Sequence, residues 1–176
     1  MYTHNHLTQA ICAGFFVVMA ATVPLKADDG DKPKSNGGWV GGISIINPTG
    51  DIGKVVDGAG YGISLAVELD YLRSRAEVTL CSTELVSLFS YTVALECMYR
   101  FNSYDTGLYV FGGLVGMVGR LDILGYIDTG YGFGISAGLG YNFNKKIGIE
   151  TLYTTANKVV GSVNFEWMQV SLKYRF

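Results

Sequence analysis

Histidine, proline and long apolar runs are all scarce here, and each scarcity closes off a class of protein. The only histidines are His4 and His6, and both fall in a stretch read below as removed. The expected mature chain therefore has no imidazole to activate a nucleophile. The last of three prolines is Pro48, so nothing beyond it interrupts a backbone hydrogen-bond ladder. No stretch offers the ~20 unbroken apolar residues that a spanning helix needs. Charge is thin as well, at 16 % of residues and a net −2, which leaves no basic footprint for nucleic acid. What the chain has instead is 49 % hydrophobic residues, 13 % aromatics and 24 glycines. That is too apolar for disorder and points to strands.

The one long apolar run, Ile11 to Val23, has the length of a secretory-signal core. Residues 1–27 read as a signal cleaved after Ala27, with Ala20 and Ala21 as competing sites, although the leading "MYTHNH" carries no Lys or Arg. Cys12 lies inside this run, and the preceding "QAI" lacks the small residue of a lipoprotein signal. Residues 28–37, rich in Asp, Lys, Gly and Ser, read as a flexible periplasmic leader, and 38–176 as one domain.

Within that domain a two-residue alternation takes over and does not give way to a helical period. Eight runs result. In "GYGISLAVELDY" the residues Tyr61, Ile63, Leu65, Val67, Leu69 and Tyr71 oppose Gly62, Ser64, Ala66, Glu68 and Asp70, with a turn expected near "LRS". Arg75, Glu77, Thr79 and Cys81 oppose Ala76, Val78 and Leu80 in the next run. After it, Glu96 and Arg100 oppose Leu95, Cys97, Tyr99 and Phe101. The run Leu108 to Gly119 is apolar on both faces and its phase stays open. In "GYGFGISAGLGYNF" aromatics and aliphatics alternate with Gly and Ser, and Glu150 opposes Ile149 in the seventh run. The closing "MQVSLKYRF" places Val170, Leu172, Tyr174 and Phe176 opposite Lys173. Short connections alternate with longer ones, among them "NPTGDIGKVVDGA", "RLDILGYIDT" and "NKVVG".

An even number of runs, each long enough to cross tilted and joined by alternating short and long loops, predicts an all-β, eight-stranded antiparallel up-and-down transmembrane β-barrel. A soluble barrel would turn its apolar face inward. Here the second face is instead rich in Gly, Ser and Ala, too small for a solvated exterior and suited to a narrow lumen. The apolar face, tipped by Trp39, Tyr61, Tyr71, Tyr141 and Phe143, is expected to meet lipid, its rings at the interfaces. The candidate site is then a lumen charge network of Glu68, Arg75, Glu77, Glu96, Arg100, Glu150 and Lys173. Cys81 and Cys97 fall on opposite faces, so both are expected to be free thiols.

The tail "VSLKYRF" looks like the C-terminal insertion signal of outer-membrane barrels. "GYGFGISAGLGYNFNKKIGIETLY" and "LYVFGGLVGMVGRLD" resemble the penultimate hairpins of the OmpA/OmpX-type eight-stranded family. The resemblance covers roughly residues 38 to 176 and implies residence in the bacterial outer membrane, both termini periplasmic. It implies as partners the lipid bilayer and lipopolysaccharide, and the barrel-insertion machinery, which would read Val170, Leu172, Tyr174 and Phe176. A periplasmic or envelope protein partner is also open. The chain resembles the lipid A deacylases and palmitoyltransferases in size, but both rely on a histidine, so no enzyme activity is expected. No cofactor is expected either. The loop carboxylates Asp51, Asp57, Asp122 and Asp128 match no calcium-loop spacing and read as solvated. Three functions remain: a structural or interaction barrel with a closed or very narrow lumen, a small ion or solute channel, and a surface adhesin.

Overall fold

The computed structural model describes residues 37–101 and 105–176; the expected signal and nearly all of the leader lie outside them. The described residues form strands β1 (Gly38–Thr49), β2 (Gly60–Glu68), β3 (Leu72–Ser82), β4 (Val86–Arg100), β5 (Gly107–Ile123), β6 (Tyr126–Asn142), β7 (Ile147–Val160) and β8 (Val163–Arg175). Each pairs antiparallel with the next, and β1 pairs with β8 from Val40↔Arg175 to Thr49↔Glu166, closing the barrel. Closure leaves no strand edge unsatisfied in hydrocarbon. Phe176 completes the seam: its N–H donates to the Trp39 carbonyl at 3.0 Å, and its ring lies over Gly41.

Alternation sorts the side chains as expected. Ile63, Tyr61, Leu114, Tyr131, Phe133 and Phe176 are more than two-thirds exposed, an apolar exterior that only lipid can cover. Cys81 is buried and Cys97 exposed, both as free thiols. The fifth strand, unphased in the sequence, turns Tyr109, Phe111, Val115, Met117 and Leu121 inward and Leu108, Val110 and Leu114 outward. At the rim where β1 begins and β8 ends, called the terminal rim, three outward pairs stack edge to face: Tyr99–Phe101 at 5.1 Å, Tyr141–Phe143 at 5.4 Å and Tyr174–Phe176 at 5.4 Å. They form the aromatic belt of this terminal rim.

The connections depart from expectation in three places. First, β2 ends at Glu68, and the turn falls at Leu69–Tyr71 rather than at "LRS", with Leu69 N–H donating to the Leu72 carbonyl at 2.7 Å. Asp70 is thus an exposed turn residue, and Leu72 to Ser74 join the ladder. Second, "RLDILGYIDT" and "NKVVG" are not long loops. β5 and β6 run on to a turn centred on Leu124 and Gly125, both with positive φ (52° and 86°), the signature of a tight hairpin whose twist matches its strands. β7 absorbs Lys158 (φ 52°) in a bulge between Ala156 and Val160. Third, "NPTGDIGKVVDGA" folds in part as a helix, α1 (Gly50–Val55). Ile52 and Val56, one turn apart, are 0 % and 1 % exposed and point into the barrel mouth. Gly50 has φ 60°, which glycine adopts without strain, and a Cβ there would displace the Glu166 carboxylate, so glycine suits the start of this helix.

Candidate functional site

The lumen is the only enclosed space that the strands of such a barrel can build, and eight strands leave room for little beyond side chains. Register stacks those side chains in two storeys. Near the terminal rim, Glu68 lies opposite Arg73, and Arg73 opposite Glu96 across the β2–β3 and β3–β4 ladders. Arg73 is the hub. Its Nε donates to Glu96 Oε2 at 2.7 Å, its Nη1 to Glu150 Oε1 at 2.5 Å, and Glu68 Oε1 lies 3.8 Å away. Its guanidinium sits 4.0 Å above the Phe111 ring. Lys173 Nζ bridges Glu150 at 2.7 Å and Glu68 at 3.0 Å, 4.7 Å from the Tyr109 ring centre. The Tyr109 hydroxyl donates to Glu150 at 2.7 Å.

One level up, Arg75 bonds Glu77 and reaches Glu96 Oε1 at 3.2 Å. Ser136 donates its hydroxyl to Glu96 at 2.8 Å, and Ser44 and Gln169 donate to Glu77 at 3.3 and 3.4 Å. At the rim itself Arg100 and Arg175 reach Glu68 Oε2 at 3.3 and 2.6 Å. Four carboxylates thus interlock with five cations, and a buried charge is tolerable only with such partners.

The upper storey has no ions. Ile46, Cys81, Leu88, Val115, Met117, Leu121, Val159, Phe165 and Trp167 pack with Ile52 of α1 and with Val56, which follows it, into one apolar cluster filling the far mouth. Thr79, Ser90, Thr92 and Thr154 mark the boundary, all buried, with hydroxyls that bond no protein group.

All seven residues singled out from the sequence therefore meet in the lower storey, Arg100 at its edge. Sequence reasoning missed Arg73, Arg175, Tyr109 and the apolar storey. Arg73 was lost with the misplaced turn. Once Asp70 leaves the lumen, four acids face three bases, and Arg73 is the nearby base with the parity of Arg75. Val170, Leu172, Tyr174 and Phe176 line the outer face of β8, each 44 % exposed or more. Asp51, Asp57, Asp122 and Asp128 do not converge, and no group of acidic, Cys or His side chains among the described residues could hold a metal.

Comparison with known proteins places this geometry. The chain superposes on Neisserial surface protein A with a TM-score of 0.56 at 16 % identity, covering 82 % of this chain and 100 % of that one. The N-terminal barrel domain of Pseudomonas aeruginosa OprF gives 0.55 at 14 % identity over 81 % and 98 % of the two chains. Ail, the attachment invasion locus protein of Yersinia pestis, gives 0.50 at 16 % identity over 80 % and 97 %. At such identities the likeness is one of fold. No curated protein matches the chain in sequence. The family model described as outer membrane protein beta-barrel domain matches residues 11–176. With its closed eight-stranded barrel, lipid-facing exterior and filled lumen, the chain belongs to that family and is a protein of the bacterial outer membrane.

Proposed function

We propose that this barrel is a closed one, acting through what it presents at the membrane surface and not through what it passes, in a structural or protein-interaction role in the envelope. The observation that carries this reading is the double filling of the lumen: an interlocked charge layer below and an apolar plug above, with Ile52 of α1 at 0 % exposure. Both termini are periplasmic in this reading, and the far rim faces outward. There the β5–β6 hairpin projects, with Leu124 and Tyr126 77 % and 76 % exposed, and Leu124 N–H joins the neighbouring turn through the Leu85 carbonyl at 3.0 Å. An exposed apolar tip of this kind supports an interaction role. The outer leaflet supplies lipopolysaccharide as a neighbour, and the outward face of β8 with Phe176 suits the insertion machinery. We also propose that the protein is not an enzyme, since beyond His6 no histidine exists to activate a serine.

The test is conductance of the refolded protein in a planar bilayer. A folded barrel that stays silent, and stays silent when α1 is displaced by Ile52→Asp with Val56→Asp because the charge layer below is intact, fits the closed reading. Discrete openings in the unaltered protein, changed by Glu96→Gln or Arg100→Gln, would sink it in favour of a small channel. The adhesin reading draws on the fold shared with Ail, but the tight turns at Leu124–Gly125 and Gly161–Ser162 offer less surface than extended loops would.

A further inference from the structure

We infer that the tip of the β5–β6 hairpin, together with the neighbouring turn at Leu85, docks a basic polypeptide segment in which Lys or Arg alternates with apolar residues. The partner chemistry so named rests on the interaction role proposed above. Height along the strands sets this tip apart from the rest of the apolar exterior. On β6, Tyr131 lies ten residues from Tyr141 of the terminal belt, and on β4, Phe89 lies ten from Tyr99. A tilted strand crosses hydrocarbon in ~9–11 residues, so Tyr131 and Phe89 stand at the opposite interface. Leu85, Ile123, Leu124, Tyr126 and Ile127 lie beyond it and are all exposed, Leu124 and Tyr126 by more than three-quarters. Lipid covers the apolar wall below them, but its hydrocarbon does not reach these five. The ladder pairs Ile123 with Tyr126 and Asp122 with Ile127, so both faces of the hairpin carry apolar side chains above the mouth. The Leu124 N–H, donating to the Leu85 carbonyl at 3.0 Å, joins the two turns into one patch. An exposed apolar patch clear of lipid marks a contact surface.

Charge selects what fits it. The patch carries Glu84, Asp122 and Asp128, and neither 82–88 nor 121–131 contains a Lys or Arg. Asp122 accepts the Gly125 N–H and Asp128 the Thr129 N–H, both at 2.9 Å and each through one oxygen, which holds the two carboxylates at the surface of the turn. Elsewhere on this rim the charges balance, Asp51, Asp57 and Glu166 against Lys54, Arg120 and Lys158. The three carboxylates of the patch are therefore the net charge of the rim, and they lie among its exposed apolar side chains. A lipopolysaccharide phosphate, or the same patch on a second copy, brings negative charge to negative charge. A segment that alternates cations with apolar residues sets each against its complement, and like-charge contact rejects the others.

The experiment is a titration of the isotope-labelled, refolded full chain in phosphatidylcholine nanodiscs with a synthetic peptide alternating lysine and leucine, followed by amide NMR residue by residue. We expect saturable shifts confined to the two turns, weakening as salt is raised, and none with a glutamate–leucine peptide. Glu84→Gln with Asp122→Asn and Asp128→Asn keeps the acceptors that hold the turn and should lower affinity on the order of tenfold, a few-fold for each exposed charge. Leu124→Ser with Tyr126→Ser should also lower it, and a lysine–serine peptide should bind more weakly than the lysine–leucine one. Equal binding of the glutamate peptide, shifts spread along the lipid-facing wall, or indifference to both variants would overturn the inference. So would the same shifts produced by lipopolysaccharide alone or by raising the protein concentration alone. Conductance reads the closed barrel independently: a silent barrel that ignores the peptide loses this partner class alone, whereas a conducting one loses the closed reading whether or not the peptide binds.

Discussion

Between the terminal rim and Thr92 the lumen is filled by ions in contact, whereas between Thr92 and α1 it is filled by rings and branched chains. The same strands build both, with the same alternation and the same width. In the lower storey a few long side chains, Arg73 above all, each satisfy several partners at once, so the layer is directional and intolerant of a missing member. In the upper storey Phe165, Trp167, Ile46 and Ile52, each at most 1 % exposed, fill space without direction. An ionic layer specifies register, because a slip by one residue would send Arg73 and Glu96 into lipid. An apolar plug supplies burial and closes the mouth.

The comparison is broken most severely at Arg73. Breaking one buried pair costs ~3–5 kcal/mol, and Arg73→Met leaves Glu96 and Glu150 each short of a cation within 2.7 Å. We expect the largest loss of any single substitution here, about 5 kcal/mol or more, read by urea unfolding in vesicles. Loss under about 1 kcal/mol, the scale of an exposed pair such as Lys145–Asp105, would show that the layer is hydrated and loosely held. In the upper storey Phe165→Ala should cost about 3–5 kcal/mol through the cavity it leaves, and a double change with Arg73→Met should be additive. Coupling between them would mean that the storeys are one core.

The exterior sets the next scale. Ile135→Arg, at a lipid-facing position 56 % exposed and six residues from the aromatic belt at Tyr141, should cost about 2–4 kcal/mol near the bilayer midplane. Ser136→Thr, the next residue and facing the lumen, should be milder. Equal tolerance of the two in lipid would reverse the assignment of faces.

How legible all this was depended on where alternation carried information. Strand count, the facing of β2, β3, β4, β6 and β8, and seven lumen charges follow from apolar and polar residues taking turns. The facing of β5 does not, because Leu108 to Gly119 is apolar on both sides: Phe111 and Leu114 are alike to a hydropathy pattern, yet one sits over Arg73 and the other in lipid. The β2–β3 turn was misplaced for a related reason. Leu69 and Tyr71 continue the phase of β2 into the turn, and only the pairing of Glu68 with Arg73 shows where the strand stops. Helix α1 was hidden because its six residues are too few to display a period, and its burial depends on β8, distant in sequence.

The finest comparison lies at the boundary between storeys, where hydroxyls of equal burial differ in what they bond. Ser136 is 3 % exposed and donates to Glu96 at 2.8 Å, so Ser136→Ala removes a hydrogen bond to a charged group and should cost about 1.5–3 kcal/mol. Thr92, 1 % exposed and in register between Glu77 of the ionic layer and Met117 of the apolar cluster, bonds no protein group. Thr92→Val keeps its shape and should change stability by no more than about 0.5 kcal/mol. If Thr92→Val instead costs as much as Ser136→Ala, the ionic layer reaches higher than its direct contacts, and Thr92 belongs to the lower storey.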